Sequence, residues 1–226
     1  MHSGTPAQNG KINIRGVIFD YGNVLCYPQQ SADIESMAEV CGLSAARFRE
    51  FYWKFRADYD RGDLNGNSYW TAVAGEQGIA LSRDQIASLI ALDTASWARE
   101  SEDALRWTQQ LHAAGFPLAL LSNMPQDLAR TLSAQGRWTR FFQHRVFSCD
   151  VRRNKPNPMI YQVCLDALQL APPDVLFVDD IASNVEAASR LGIHGLRFDT
   201  IEQTWARVAE KYNLPVPLAP AQSQRG

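Results

Sequence analysis

A chain of 226 residues, 46% hydrophobic and 20% charged, has the material for a full core and for one or two globular domains. Its 22 basic and 24 acidic residues leave a formal charge of −2, which gives no general attraction to nucleic acid or to an anionic membrane. No apolar run approaches the ~20 residues of a membrane helix, and the first residues lack the charged start and apolar block of a secretory signal. Cys26, Cys41, Cys149 and Cys164 are too scattered for a zinc or redox motif and read as reduced thiols. The expectation is a cytoplasmic protein, monomer or homodimer, with no nucleic-acid or membrane partner.

Residues 1–11 lack periodicity and predict a disordered start; residues 214–226, again rich in Pro, Ala, Gln and Ser, predict a disordered tail. Ile14–Asp20 is a β-branched and aromatic run that predicts a buried strand. From Ser31 to Ala98 only helical spacing is present. Ile34, Met37, Ala38 and Cys41 share one face, as do Phe48, Phe51, Phe55 and Tyr59, and as do Ile86, Leu89 and Ile90. Strands and helices then alternate: helix Glu102–Ala114, strand Phe116–Leu121, helix Gln126–Ala134, strand His144–Phe147. A helix capped by Asn157 with Pro158 in its first turn follows, then strand Asp174–Val178, helix Ser183–Leu191 and strand Gly195–Phe198. This alternation specifies a parallel sheet with helices on both faces, an α/β fold interrupted after its first strand by a helical block over residues 28–98. The core would comprise residues 12–27 and 99–213.

In an open parallel sheet the ligand sits outside the carboxyl ends of the strands. Asp20 ends the first strand and Ser122-Asn123 the second; Lys155 follows the third, and Asp179-Asp180 ends the fourth, with Asn184 just beyond. Singly, each has a structural use, as turn residue, cap or solvated lysine. The adjacent carboxylates are harder to dismiss, because at a buried strand end they repel each other and lose water unless a cation joins them. Together the set suits phosphoryl transfer: a carboxylate nucleophile, an amine to neutralise charge, hydroxyl and amide donors for phosphoryl oxygens, and carboxylates for Mg²⁺.

GVIFDYGNVL around Asp20, LALLSNMP around Ser122, NKPNPMIYQ around Lys155 and VLFVDDIASN around Asp179-Asp180 resemble, in order, the four motifs of the haloacid dehalogenase superfamily. The resemblance implies a Rossmann-like, three-layer parallel-sheet core with an inserted helical cap domain. It implies Asp20 as nucleophile with Lys155 beside it, and Mg²⁺ held by Asp20, Asp180 and the backbone carbonyl of Gly22, with Asp179 and Asn184 supporting. Ser122 and Asn123 would bind the phosphate of a small phosphorylated metabolite.

One position departs from that pattern. Family phosphatases mostly carry a second Asp two residues after the nucleophile, as general acid; here Gly22 stands there. General acid catalysis is worth about 10²–10⁴-fold. Either the leaving group needs little help, as in a sugar 1-phosphate, or Asp60, Asp63 or a cap tyrosine donates the proton, or the reaction is a dehalogenation, whose halide leaves without one. A binding protein that kept the fold is the non-enzymatic alternative. FDYGNVL resembles a group that includes sugar 1-phosphate phosphatases, which favours a phosphatase. In the cap, Tyr59-Asp60-Arg61-Gly62-Asp63 resembles a loop lowered into the active site, where Arg61 would bind an anionic substrate group; the same residues also suit a salt-bridged surface turn. Trp53, Trp70 and Trp97 would line a sugar pocket or fill the cap core.

Overall fold

The computed structural model describes residues 10–217. Five strands, β1 (Gly16–Phe19), β2 (Leu118–Ser122), β3 (His144–Phe147), β4 (Val175–Asp179) and β5 (His194–Arg197), form one sheet in the order β3-β2-β1-β4-β5. Every neighbouring pair is parallel. β1 is therefore central, and its buried run GVIF has no polar face because both sides of the sheet are covered. It is shorter than its apolar run suggests, since the Ile14 amide is taken by the Asn213 side chain at 2.8 Å.

Between β1 and β2 lie α1 (Ser31–Val40), α2 (Ala45–Lys54), α3 (Arg56–Asp60), α4 (Gly66–Gly75) and α5 (Arg83–Ser96). They share an apolar cluster of their own that includes Met37, Phe48, Tyr52, Tyr69, Trp70 and Leu89. The core helices are α6 (Glu102–Ala113), α7 (Gln126–Gln135), α8 (Ser148–Val151), α9 (Pro158–Leu168), α10 (Ala182–Arg190) and α11 (Ile201–Lys211). Alternation along the strands divides them. Val17, Phe19, Leu120 and Val178 meet Trp107 of α6, Leu128 of α7 and Val208 of α11, while Ile18, Leu121 and Phe177 meet Tyr161 of α9 and Ala188 of α10. The result is a three-layer α/β arrangement. Asn157 caps α9 through Met159, with Pro158 in the first turn, as the sequence predicts.

One expectation needs correction. The chain does not loosen at residue 214: Leu214 is buried, and the Trp107 indole donates to the Pro215 carbonyl at 3.1 Å, because a buried indole N–H needs an acceptor. The expectations for residues 1–9 and 218–226 lie outside the described residues. Of the two places the sequence offers the tryptophans, Trp70 takes the apolar core of the inserted helices, wholly buried and stacked on Phe48 at 6.1 Å, while Trp53 and Trp97 line a cavity. No helix among the described residues is long and apolar enough to cross a membrane.

Candidate active site

Lys155 joins the strand ends. Its Nζ, on a side chain almost fully buried, lies 2.8 Å from Asp20 Oδ1 and 2.6 Å from Asp179 Oδ2, and donates to the Leu121 carbonyl at 2.9 Å. Asp20 Oδ1 also accepts from the Tyr21 amide at 2.7 Å. The backbone of Lys155 is held by Asn123, whose amide accepts from Lys155 N at 2.8 Å and donates to Lys155 O at 3.1 Å. The Asn123 side chain is thus committed to the lysine loop, and its backbone amide is the group left for a ligand, the one expected to donate to a phosphoryl oxygen.

Asp179 is fully buried and saturated. Its oxygens accept from Lys155, from the Ile181 amide at 2.8 Å and from Asn184 Nδ2 at 3.1 Å, so it positions its neighbours. Asp180 turns the other way, and its Oδ2 accepts from Asn23 Nδ2 at 2.8 Å. Sequence reasoning passed over Asn23. Its left-handed φ of 56°, a conformation Asn tolerates better than most residues, is the only signal in retrospect.

Asp20, Asp179 and Asp180 each place one carboxylate oxygen within 4.8 Å of the other two. Burial pushes the Asp20 carboxyl up to about 7, against the pull of Lys155 and with repulsion from Asp179 and Asp180 added. Burial raises Asp180 too. Burial alone would lower Lys155, but Asp20 and Asp179 outweigh it and hold the ammonium charged. One ammonium among three carboxylates leaves an excess of negative charge in a place poor in water. Hard oxygen donors with uncompensated charge fit a divalent cation such as Mg²⁺. Because Asp179 is saturated, Asp20 and Asp180 are the carboxylates left to hold it, and Gly22 lines the same cavity.

That cavity, about 170 Å³, also takes in Ser122, Asn123, Met124 and Leu128 from the core and Trp53, Arg56, Asp60 and Trp97 from the helical insertion. Arg61 is not among its walls. The Arg61 guanidinium is held at 2.5 Å by Asp58 and by Asp63, and Asp63 also pairs with Arg152. The loop is therefore a salt-bridged turn, with Gly62 at φ 80° where a side chain would be strained. The arginine at the cavity is Arg56, one turn earlier. Its Nε donates to Asp60 Oδ1 at 2.7 Å and its Nη1 to both oxygens of Asp93 at 3.1 and 3.0 Å.

Burial pushes Asp60 up to about 6 although Arg56 opposes it, with Asp93 adding to the rise. A carboxyl with a folded value above its unfolded one holds a proton in the fold that the unfolded chain has released, so its contribution to stability falls as pH rises through the window between about 4 and 6. Asp60→Asn removes that dependence. Thermal unfolding from pH 4 to 7 is expected to show a smaller loss of Tm in the variant than in the wild type; equal slopes would refute the assignment.

The family model for haloacid dehalogenase-like hydrolases matches residues 14–192. The chain belongs to the haloacid dehalogenase-like hydrolase family. Over 101 residues this hydrolase is 30% identical to (S)-2-haloacid dehalogenase 1 of a Pseudomonas species, covering 45% of this chain and 44% of that one. Over 86 residues it is 31% identical to the phosphoglycolate phosphatase of Aliivibrio fischeri, covering 38% of each. The hydrolase thus spans less than half the length of these curated relatives. A HAD family enzyme of Bacteroides thetaiotaomicron shares its fold, with a TM-score of 0.71 at 17% identity over 88% of this chain and 100% of that one. That enzyme has also been solved with magnesium and inorganic phosphate.

Proposed function

We propose that this hydrolase is a Mg²⁺-dependent phosphatase acting on a small phosphorylated metabolite, a sugar phosphate among the candidates, through an aspartyl phosphate on Asp20. The observation that carries the reading is the buried excess of carboxylate over ammonium at the strand ends, which a divalent cation would neutralise. Asp20 and Asp180, with the Gly22 carbonyl, would hold the metal, whose charge would let an anionic phosphate approach an anionic nucleophile. Asp20 then attacks phosphorus and displaces the alcohol oxygen. Lys155 keeps Asp20 ionised and oriented, while the Ser122 hydroxyl and the Asn123 amide donate to phosphoryl oxygens. Water attacks the phosphorus of the acyl phosphate, and Asp20 returns as a carboxylate. Asp179 and Asn184 act by fixing Lys155. Residues 28–98 form the cap over a core of residues 12–27 and 99–213, and a cytoplasmic setting would keep the four free thiols reduced.

Gly22 favours a second reading. A halide needs no proton, so a 2-haloacid dehalogenase would attack carbon with Asp20 and dispense with both acid and metal. The metal requirement separates the two. Phosphate release from a panel of sugar and carboxylic-acid phosphates is expected with Mg²⁺ and not with EDTA. Halide release from 2-chloropropionate in EDTA, with no phosphate release, would replace the phosphatase by the dehalogenase, and silence on both panels would support a binding protein.

A further inference from the structure

We propose that Asp60 is the general acid that protonates the leaving oxygen in place of the carboxylate missing at Gly22, an assignment that rests on the phosphatase reading. The cavity has three carboxylates in its wall, Asp20, Asp60 and Asp180. Two are committed to nucleophile and metal. Asp63, a rival by sequence, is turned away into its pairs with Arg61 and Arg152.

The tyrosines are spent. Tyr59 donates its hydroxyl proton to Asp127 at 2.9 Å, Tyr52 to Asp93 at 2.6 Å, Tyr69 to the Tyr52 carbonyl at 2.7 Å and Tyr21 to the Trp97 carbonyl at 2.9 Å. Lys155 spends its ammonium on Asp20, Asp179 and the Leu121 carbonyl. Asp60 alone combines a place in the wall with a carboxyl oxygen to spare, since Arg56 takes Oδ1 and leaves Oδ2 to a ligand.

The backbone of Asp60 is fixed to the phosphate-binding loop. Its carbonyl accepts from the buried Ser148 hydroxyl at 2.5 Å, and the Ser148 hydroxyl oxygen in turn accepts from the amide of Met124, two residues after Ser122, at 2.9 Å. A displacement of the acid relative to the phosphate therefore requires breaking this relay. Asp60 is faced by Arg56 from its own helix, by Asp93 from α5 and by Lys155 from the core, and burial holds a proton on it into the range where a general acid is useful.

In the first step the bond from Asp20 to phosphorus forms, the bond to the leaving oxygen breaks, and the Asp60 proton passes to that oxygen, giving an alcohol. In the second step the Asp60 carboxylate takes a proton from the attacking water, the acyl phosphate bond breaks, and Asp60 is reset. A cavity acid donated by the insertion also explains how the core can tolerate Gly22. A Cβ there would meet only the Trp97 ring at 3.7 Å, ordinary contact, so space does not forbid an aspartate.

The test uses leaving groups. With Mg²⁺ present, Asp60→Asn is expected to lower kcat/KM on an alkyl phosphate substrate by about 10²–10⁴-fold and on p-nitrophenyl phosphate, whose phenolate leaves unaided, by less than about 10-fold. Retained p-nitrophenyl phosphate turnover also shows that the variant is folded. Adding Gly22→Asp to Asp60→Asn is expected to restore part of the alkyl phosphate rate. Equal losses on both substrates, or no loss on the alkyl phosphate, would overturn the assignment. So would a wild-type rate that falls steeply as the leaving group becomes more basic, a measurement that needs no variant. A wild type inert on both substrates would sink the phosphatase reading itself, and the role of Asp60 with it.

Discussion

Replacing Lys155 by Met is expected to lower Tm by about 6–20 °C and to cost at least ~10²-fold in turnover. Met fills a similar volume, so the loss isolates the charge. Nζ now faces Asp20 at 2.8 Å and Asp179 at 2.6 Å from a buried position. Without it, three carboxylates remain together at the strand ends with no cation, and breaking a buried pair typically costs about 3–5 kcal/mol because the orphaned charge stays. Acid should restore the variant. Asp20, already pushed up to about 7 by burial, would rise further once Lys155 no longer pulls it down, so stability would be recovered as pH falls and lost as pH rises through neutrality. Mg²⁺ should stabilise the variant more than the wild type, because it meets a larger excess of charge. Fluorimetric melting with Mg²⁺ and with EDTA, at pH 5.5 and 8, measures all three; a Tm within 2 °C of the wild type at pH 8 would show that Lys155 does not hold the cluster.

The strand ends were legible because a parallel sheet buries both faces of its strands. GVIFD, LALLS and VLFVDD stand out as apolar runs, and the polar residue that stops each one is the one placed at the ligand edge. The order β3-β2-β1-β4-β5 was not legible, since the alternation of helix and strand fixes parallel pairing and not neighbours. The insertion between β1 and β2 was legible only as helices. Arg56 and Arg61 both sit beside acidic residues at short spacing, and the local sequence cannot say which one a neighbouring domain will cover. What separates them is docking. Ser148, Arg152 and Asn154, all after β3, engage the carbonyls of Asp60, Gly62 and Ala57, and these contacts seat the first turn of α3 at the cavity while Arg61 stays at the rim. Long-range hydrogen bonds of that kind leave no periodicity to read. Asn123 stands at the end of β2 as the apolar run implies, and what the sequence did not show is that its side chain serves Lys155, because the lysine loop follows β3, the strand beside its own.

Asp20→Asn is expected to abolish phosphate release, by about 10⁴–10⁶-fold, and at the same time to raise the Tm of metal-free protein by about 2–8 °C. The two effects have one cause. Asp20 is 6% exposed and carries its charge against burial and against Asp179 and Asp180, with Lys155 compensating only in part. An amide of the same shape removes that repulsion, keeps an oxygen for the Tyr21 amide, and leaves Lys155 to Asp179. Saturating Mg²⁺ should reverse the ranking. The wild type gains stability by binding the ion in its folded state, while the variant has given up one of its two carboxylate donors. A variant less stable than the wild type in EDTA would mean that the pair with Lys155 outweighs the crowding of carboxylates, and the case for a cation at this site would fall with it. The opposite result would locate the cost of the nucleophile in the unliganded fold: the protein holds two buried carboxylates and a half-buried third around one ammonium, and that instability is the measure of its demand for a metal.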